Sequence, residues 1–202
     1  MRRLHGSIRL VRLSVVLSIT GAVLLIGSSA KAQFTSFTAQ GANSAAIQGT
    51  VDNYRVALGG GAVAGANGSF GGIRREINWD GVPNNLSDPN TLPADFFNTT
   101  SPRGVVFSTP GTGFLVSANE GQGTPIMFGF QSDFTAFSGQ KLFTAVNSNI
   151  TDVSFFVPGT NTAATVSGFG SVFTDVETAN QTKIDYFDVN NNLISSVFAG
   201  IS

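Results

Sequence analysis

After residue 33 the chain contains no stretch dense enough in Ala, Leu, Glu and Lys to build a long helix, and this absence constrains its fold most. All 18 Phe fall in that region, among abundant Gly, Asn, Ser and Thr and few charges. Phe, Val and Thr suit a pleated, half-buried surface. Short apolar runs separated by Pro-Gly, Asn and Gly clusters are the pattern of an all-β domain with many turns. The expectation is an antiparallel β-sandwich of jelly-roll type.

Residues 1–32 read differently. Arg2, Arg3, Arg9 and Arg12 precede an uncharged apolar run from Leu13 to Ile26, and Ala30-Lys31-Ala32 forms an A-x-A cut site before Gln33. A basic, apolar and small-residue series in this order predicts a secretory signal peptide of the Sec type. Five of the 11 Lys and Arg lie in residues 1–32, and all 12 Asp and Glu follow them. Residues 33–202 therefore set six cations against twelve anions, a net charge of −6. That balance disfavours nucleic acid and anionic membrane surfaces as partners. No later apolar run reaches the ~18 residues of a membrane span, so no transmembrane helix is expected in the processed chain.

The only histidine is His5, and there is no cysteine. A processed chain from Gln33 therefore has no Ser-His-Asp triad, Cys nucleophile, disulfide, or zinc site of imidazole and thiolate. The expectation is a protein that is not an enzyme and needs no cofactor, a structural calcium ion aside. Carboxylate pairs can still hydrolyse glycosides without histidine.

The expected division is signal peptide 1–32, extended N-terminal segment 33–49, and β-sandwich domain 50–202. Thr50–Leu58 could be a strand or a short helical turn, and the Gly/Ala run 59–72 a flexible surface loop. Ile73–Trp79 is the first expected strand, followed by a Pro-rich loop 80–102. Gly104–Ser108 and Gly113–Ser117 are expected to pair about Thr109-Pro110-Gly111. Ile126–Phe130 and Leu142–Val146 are short strand candidates. Thr151–Val157 is expected to pair with Ala164–Phe173, and Lys183–Val189 with Leu193–Phe198. Five N-x-S/T sequons, at Asn67, Asn85, Asn98, Asn149 and Asn180, mark expected surface loops.

Two loops invite motif readings that their chemistry rejects. Gly59–Gly65 lacks the Lys-Ser/Thr of a phosphate loop and the third glycine of G-x-G-x-x-G. Asp188-Val189-Asn190-Asn191-Asn192 begins like a calcium loop, but Leu193 and Ala199 occupy the positions of the required glycine and acid. A hairpin turn with a left-handed Asn accounts for it.

Arg74–Gly81 is the densest polar and aromatic cluster. As a ligand-binding face it would use Trp79 as a platform, with Arg75, Glu76, Asn78 and Asp80 bonding hydroxyl pairs, a combination suited to sugars. The competing account is a core Trp, with an Arg–Glu pair tying the long loop to the sheet. On an extended segment Asp175 and Glu177 share one face, a candidate calcium pair or a solvated one.

The stretches Gly72–Gly81, Phe97-Asn98 through Ser101–Phe107, Thr109–Phe114 and Gly168–Val176 resemble bacterial secreted β-sandwich proteins. Some members of that group carry a C-terminal Pro-Glu-Pro (PEP-CTERM) sorting tail. The resemblance spans most of residues 50–200. It implies a jelly-roll similar to galactose-binding and carbohydrate-binding modules, without an activity to carry over. Against that pattern the chain lacks later strands and the sorting tail.

Together these readings predict an exported binding or matrix protein, with an extracellular glycan or matrix component as partner and carbohydrate as favoured ligand class. The alternatives are a carboxylate-based polysaccharide-active enzyme and a purely structural surface protein. Leu193–Phe198 is apolar and nearly uncharged. As a sheet edge it is expected to self-associate through the C-terminal hairpin, or to be covered by Phe34–Phe37.

Overall fold

The structure is a computed structural model that describes residues 7–11, 34–63, 69–70 and 73–201. The apolar run Leu13–Ile26, the Ala30-Lys31-Ala32 site and Asn67-Gly68 lie outside the described residues. Strands dominate, with few helices, as the composition requires. The strands are β1 (Ser7–Val11), β2 (Ser69–Phe70), β3 (Arg74–Arg75), β4 (Val105–Ser108), β5 (Gly113–Val116), β6 (Phe143–Val146), β7 (Ile150–Phe155), β8 (Lys183–Phe187) and β9 (Leu193–Phe198). Two α-helices, α1 (Ser44–Ala57) and α2 (Phe96–Thr99), and three short 3-10 turns complete the description.

The largest sheet has the order β4-β7-β1-β8-β9, and β5-β6 and β2-β3 are two-stranded ribbons. β4–β7 and β8–β9 are antiparallel, whereas β1 runs parallel to both β7 and β8. Thus Ser7–Val11, inside the predicted signal peptide, is the central strand of this sheet.

The core lies where the large sheet meets β5–β6. Alternation along β7 buries Thr151, Val153 and Phe155, and β4 contributes Val105 and Phe107. β5 supplies Phe114 and Val116, and the Pro-rich segment supplies Val82, Leu92, Phe96 and Phe97. Phe107 meets Phe114 at 5.7 Å and Phe143 at 5.0 Å between ring centroids. The rings of β4 therefore interlock with those of β5 and β6, the geometry favoured by aromatic quadrupoles.

Several expected pairings are corrected. β4 and β5 flank Thr109-Pro110-Gly111 but join different partners, β7 and β6. Residues 164–173 form no strand; the Phe156–Ala163 bridge, the Ala164 N–H to Phe155 carbonyl bond at 2.9 Å and the Phe155–Phe169 ring contact at 5.9 Å link that region to the end of β7. The expected strand Ile126–Phe130 is replaced by a 3-10 turn at Met127–Gly129, with Met127 and Phe128 at positive φ. The expected strand 73–79 shrinks to Arg74–Arg75, because Asn78 caps a 3-10 turn at Trp79–Gly81 by accepting the Asp80 N–H at 3.1 Å. The 183–198 hairpin is present, with Asn191 at φ 64° and Asp188 accepting the N–H groups of Asn190 and Asn192 at 2.8 Å.

Helix α1 begins inside the segment expected to be extended. Asn43 caps it, accepting the Ala46 N–H at 3.1 Å. Ile47, Val51, Tyr54 and Leu58 recur at helical spacing, and Tyr54 settles over Gly168 and Gly170. A Cβ on Gly168 would stand 2.9 Å from Leu58 Cδ2, and one on Gly170 3.0 Å from Tyr54 Cε1. A larger residue at either position would force the Leu58 or Tyr54 side chain to shift. Asn98, read as a surface sequon, is buried, donating to the Thr160 carbonyl at 2.9 Å and accepting the Gly159 N–H at 3.3 Å.

Candidate functional site

The 74–81 cluster is mostly joinery. Glu76 accepts from Arg55 at 2.8 and 3.0 Å, pairs with Arg74 at 3.1 Å, and its carbonyl accepts from Arg103 Nε at 3.3 Å. Three arginines from separate parts of the chain thus converge on one residue. Arg74 is buried and donates to the carbonyls of Gly61 and Val63. The near part of the loop expected to be flexible is therefore clasped. Arg75 is exposed on β3.

Trp79 is partly buried against the core and lies between Phe143 and Phe97. It does not share a strand face with Arg75. Asn78 is exposed, and its Oδ1 accepts the Asp80 N–H and the Ser138 hydroxyl. Asp80 organises a neighbouring loop: Oδ1 accepts the N–H groups of Gln140 at 2.8 Å and Lys141 at 3.0 Å, and Oδ2 the Ser138 hydroxyl at 3.3 Å.

Sequence reasoning missed Lys141. Its side chain is buried, and Nζ donates to the Val82 carbonyl, to Ser87 Oγ at 2.9 Å and to Asn84 Oδ1 at 3.2 Å. Three donors meet three acceptors, which satisfies the ammonium group. Burial pushes its pKa below the ordinary lysine value, and the Asp80 charge opposes that shift. A lone Lys in Ser138-Gly139-Gln140-Lys141-Leu142 carries no sequence signal for this role.

A concavity lies elsewhere among the described residues. A cleft of about 260 Å³ opens between the N-terminal end of α1, residues 133–137 and residues 172–175. Asn43, Ser44, Asp133, Thr135, Thr174 and Asp175 bring polar groups to it, and Ile47, Phe137, Val172 and Phe173 bring apolar surface. The Thr135 N–H donates to Thr174 Oγ1 at 2.9 Å and ties two walls together. Asp175 has φ 59°, a left-handed conformation that Asp tolerates better than most residues. Val176 is buried and Glu177 is exposed.

Among the described residues no group of three or more His, Cys, Asp or Glu could hold a metal ion. No described helix is long and apolar enough to cross a membrane. Asp175 is the one residue of the predicted set that lines the cleft; the cluster at 74–81 does not. No protein-family model, curated protein or solved structure matches the chain.

Proposed function

We propose that this chain is an exported, non-enzymatic binding protein of the extracellular space or its matrix, and that its ligand is a carbohydrate taken in the 41–47/133–137/172–175 cleft. The large sheet and the β5–β6 ribbon would form the two layers of a jelly-roll-like sandwich. The observation that carries the reading is the cleft's mixture of surfaces. Phe137 and Phe173 offer apolar rings, while Asp133, Asp175, Asn43 and Thr174 offer acceptors and donors around them. Sugars present the matching pair, C–H faces and hydroxyls, and carboxylates accept from adjacent hydroxyls. The basic, apolar, Ala-Lys-Ala series of residues 1–32 supports export.

Glycan-array binding of the exported protein tests the reading. Polysaccharide binding should fall at least about tenfold in Asp133→Ala and in Asp175→Asn, which keeps a residue tolerant of positive φ. Release of reducing sugar by the pure protein would instead favour the carboxylate-based enzyme. Binding of no glycan at all would remove carbohydrate as the ligand class. N-terminal sequencing of the exported protein should begin at Gln33.

A second reading rests on β9. It is the sheet edge, and Leu193, Ile194 and Phe198 are exposed on it. An apolar edge of this kind favours strand-to-strand assembly in a matrix. Phe34 meets Tyr186 of the adjacent strand at 5.0 Å, and residues 38–40 lie beside 198–200, without burying those side chains.

A further inference from the structure

The central strand of the main sheet comes from the segment predicted to be removed on export. Ser7–Val11 pairs in parallel with β7 on one side and β8 on the other. Opposite its residues the two neighbours present an ordered series. Ile8 stands in register with Thr151 and Ile184, and Leu10 with Val153 and Tyr186. Of these four flanking residues, Thr151, Val153 and Ile184 are buried. Arg9 stands in register with Asp152 on one side and Asp185 on the other. The rungs that flank β1 are thus Thr151 with Ile184, Asp152 with Asp185, and Val153 with Tyr186; Asp185 also pairs with Lys183 Nζ at 2.7 Å and accepts the Ser196 hydroxyl at 2.7 Å. A secretory leader engages its export machinery as an unfolded segment, so one molecule cannot use residues 7–11 as leader and as strand at the same time. Taking β1 away exposes two facing strand edges in the middle of a sheet, each with unmatched N–H and C=O groups.

We propose that the slot between β7 and β8 is a peptide-binding site that takes an extended apolar–basic–apolar segment in parallel register. Ser7–Val11 fills it in the unprocessed chain. Once residues 1–32 are gone, a strand of the same pattern from another polypeptide fills it. Main-chain ladders on both sides provide affinity, and Asp152 and Asp185, two carboxylates against the single Lys183 ammonium, leave a net negative charge that favours a cation between them. The physiological use of the slot rests on the export reading, but the slot itself can be tested without it.

The test starts from the folded full-length chain with a specific protease site placed between Ala32 and Phe34. After cutting, the 1–32 fragment should stay with 33–202 through gel filtration. A synthetic peptide of residues 5–13, which lacks the apolar run, should displace it. The same peptide carrying Arg9→Asp should compete at least about tenfold more weakly. If displacement or loss of the fragment unfolds 33–202, the residue 5–13 peptide should restore the fold. The proposal is overturned if the Arg9→Asp peptide competes equally, or if the fragment leaves and the peptide neither binds nor refolds the remainder. A processed domain that dimerises and refuses the peptide overturns it as well, since a second copy would then fill the slot. N-terminal sequencing of the exported protein reports on processing alone, so either reading can fail without the other.

Discussion

The Trp79 indole lies flat on the Phe143 ring, with centroids 4.2 Å apart and planes 4° from parallel. Phe97 stands edge-on to the same indole at 5.5 Å. Stacked and edge-to-face pairs add about 0.5–1.5 kcal/mol beyond burial. Trp79 thereby joins the 3-10 turn at 79–81 to β6. Trp79→Ala should cost about 3–5 kcal/mol in urea denaturation, and Trp79→Phe distinctly less. Glycan affinity should be unchanged in Trp79→Phe. A loss of binding with stability retained would return the ligand site to the 75–80 cluster.

Lys141 predicts a second stability effect. Lys141→Met removes the donor to Val82, Ser87 and Asn84 and leaves acceptors without it in a buried place. The expected loss is about 2–3 kcal/mol, read as a lower denaturation midpoint with an unchanged slope. Lys141→Arg should not restore the wild-type value, because a planar fork does not reproduce three donors on one nitrogen. Full stability in Lys141→Met would show that the three contacts contribute little.

Gly139 and Asp80 should be energetically coupled. Gly139 has φ 55°, and a Cβ there would stand 2.3 Å from Asp80 Oδ1. Gly139→Ala should destabilise by more than about 1 kcal/mol. The same change in an Asp80→Ala background should cost less, because the colliding carboxylate is gone. A double-mutant cycle should give a coupling of about 1 kcal/mol; strict additivity would count against the contact.

Two tyrosines predict alkaline lability. Burial pushes the Tyr186 hydroxyl up to about 12, and Tyr54 shifts in the same direction, chiefly by burial and then by Tyr186. The folded state holds these protons where the unfolded chain, ionising near 10.0, releases them. Their contribution is therefore complete below the unfolded value and is lost as pH rises toward about 12. Tyr186 also donates to the Phe169 carbonyl at 2.8 Å. Tyr186→Phe should lower stability at neutral pH by about 0.5–1.5 kcal/mol and flatten the decline above pH 10. An equally steep decline in that variant would assign the effect elsewhere.

The sequence legibility of this fold follows the range of the signals. Strands at 105–108, 113–116, 143–146, 150–155, 183–187 and 193–198 were readable because period-two alternation and Pro-Gly or Asn turns act over a few residues. Pairing was less so: nothing local in Thr109-Pro110-Gly111 tells β5 to join β6 instead of β4. Helix α1 did carry a signal, the apolar spacing 47, 51, 54, 58 behind Asn43, which Gly49, Thr50 and Val51 disguised. The 74–81 cluster stood out by composition, yet its partners Arg55 and Arg103 lie 21 and 27 positions from Glu76. Only tertiary structure distinguishes such a brace from a binding face.

Helix α1 has no fully buried residue. It is fastened by Tyr54 over two glycines, by the Arg55–Glu76 pair and by Phe37 at 5.7 Å from Tyr54. Such an element opens at a lower free energy than the sheet beneath it, because little apolar area is exposed when it lifts. Its amides should exchange with deuterium well before those of β7. Since its first turn also forms one wall of the cleft, closing on a ligand and holding the helix down are the same event. Occupancy should therefore slow exchange along residues 44–57 even where no atom touches the ligand, which makes the helix a built-in reporter of binding.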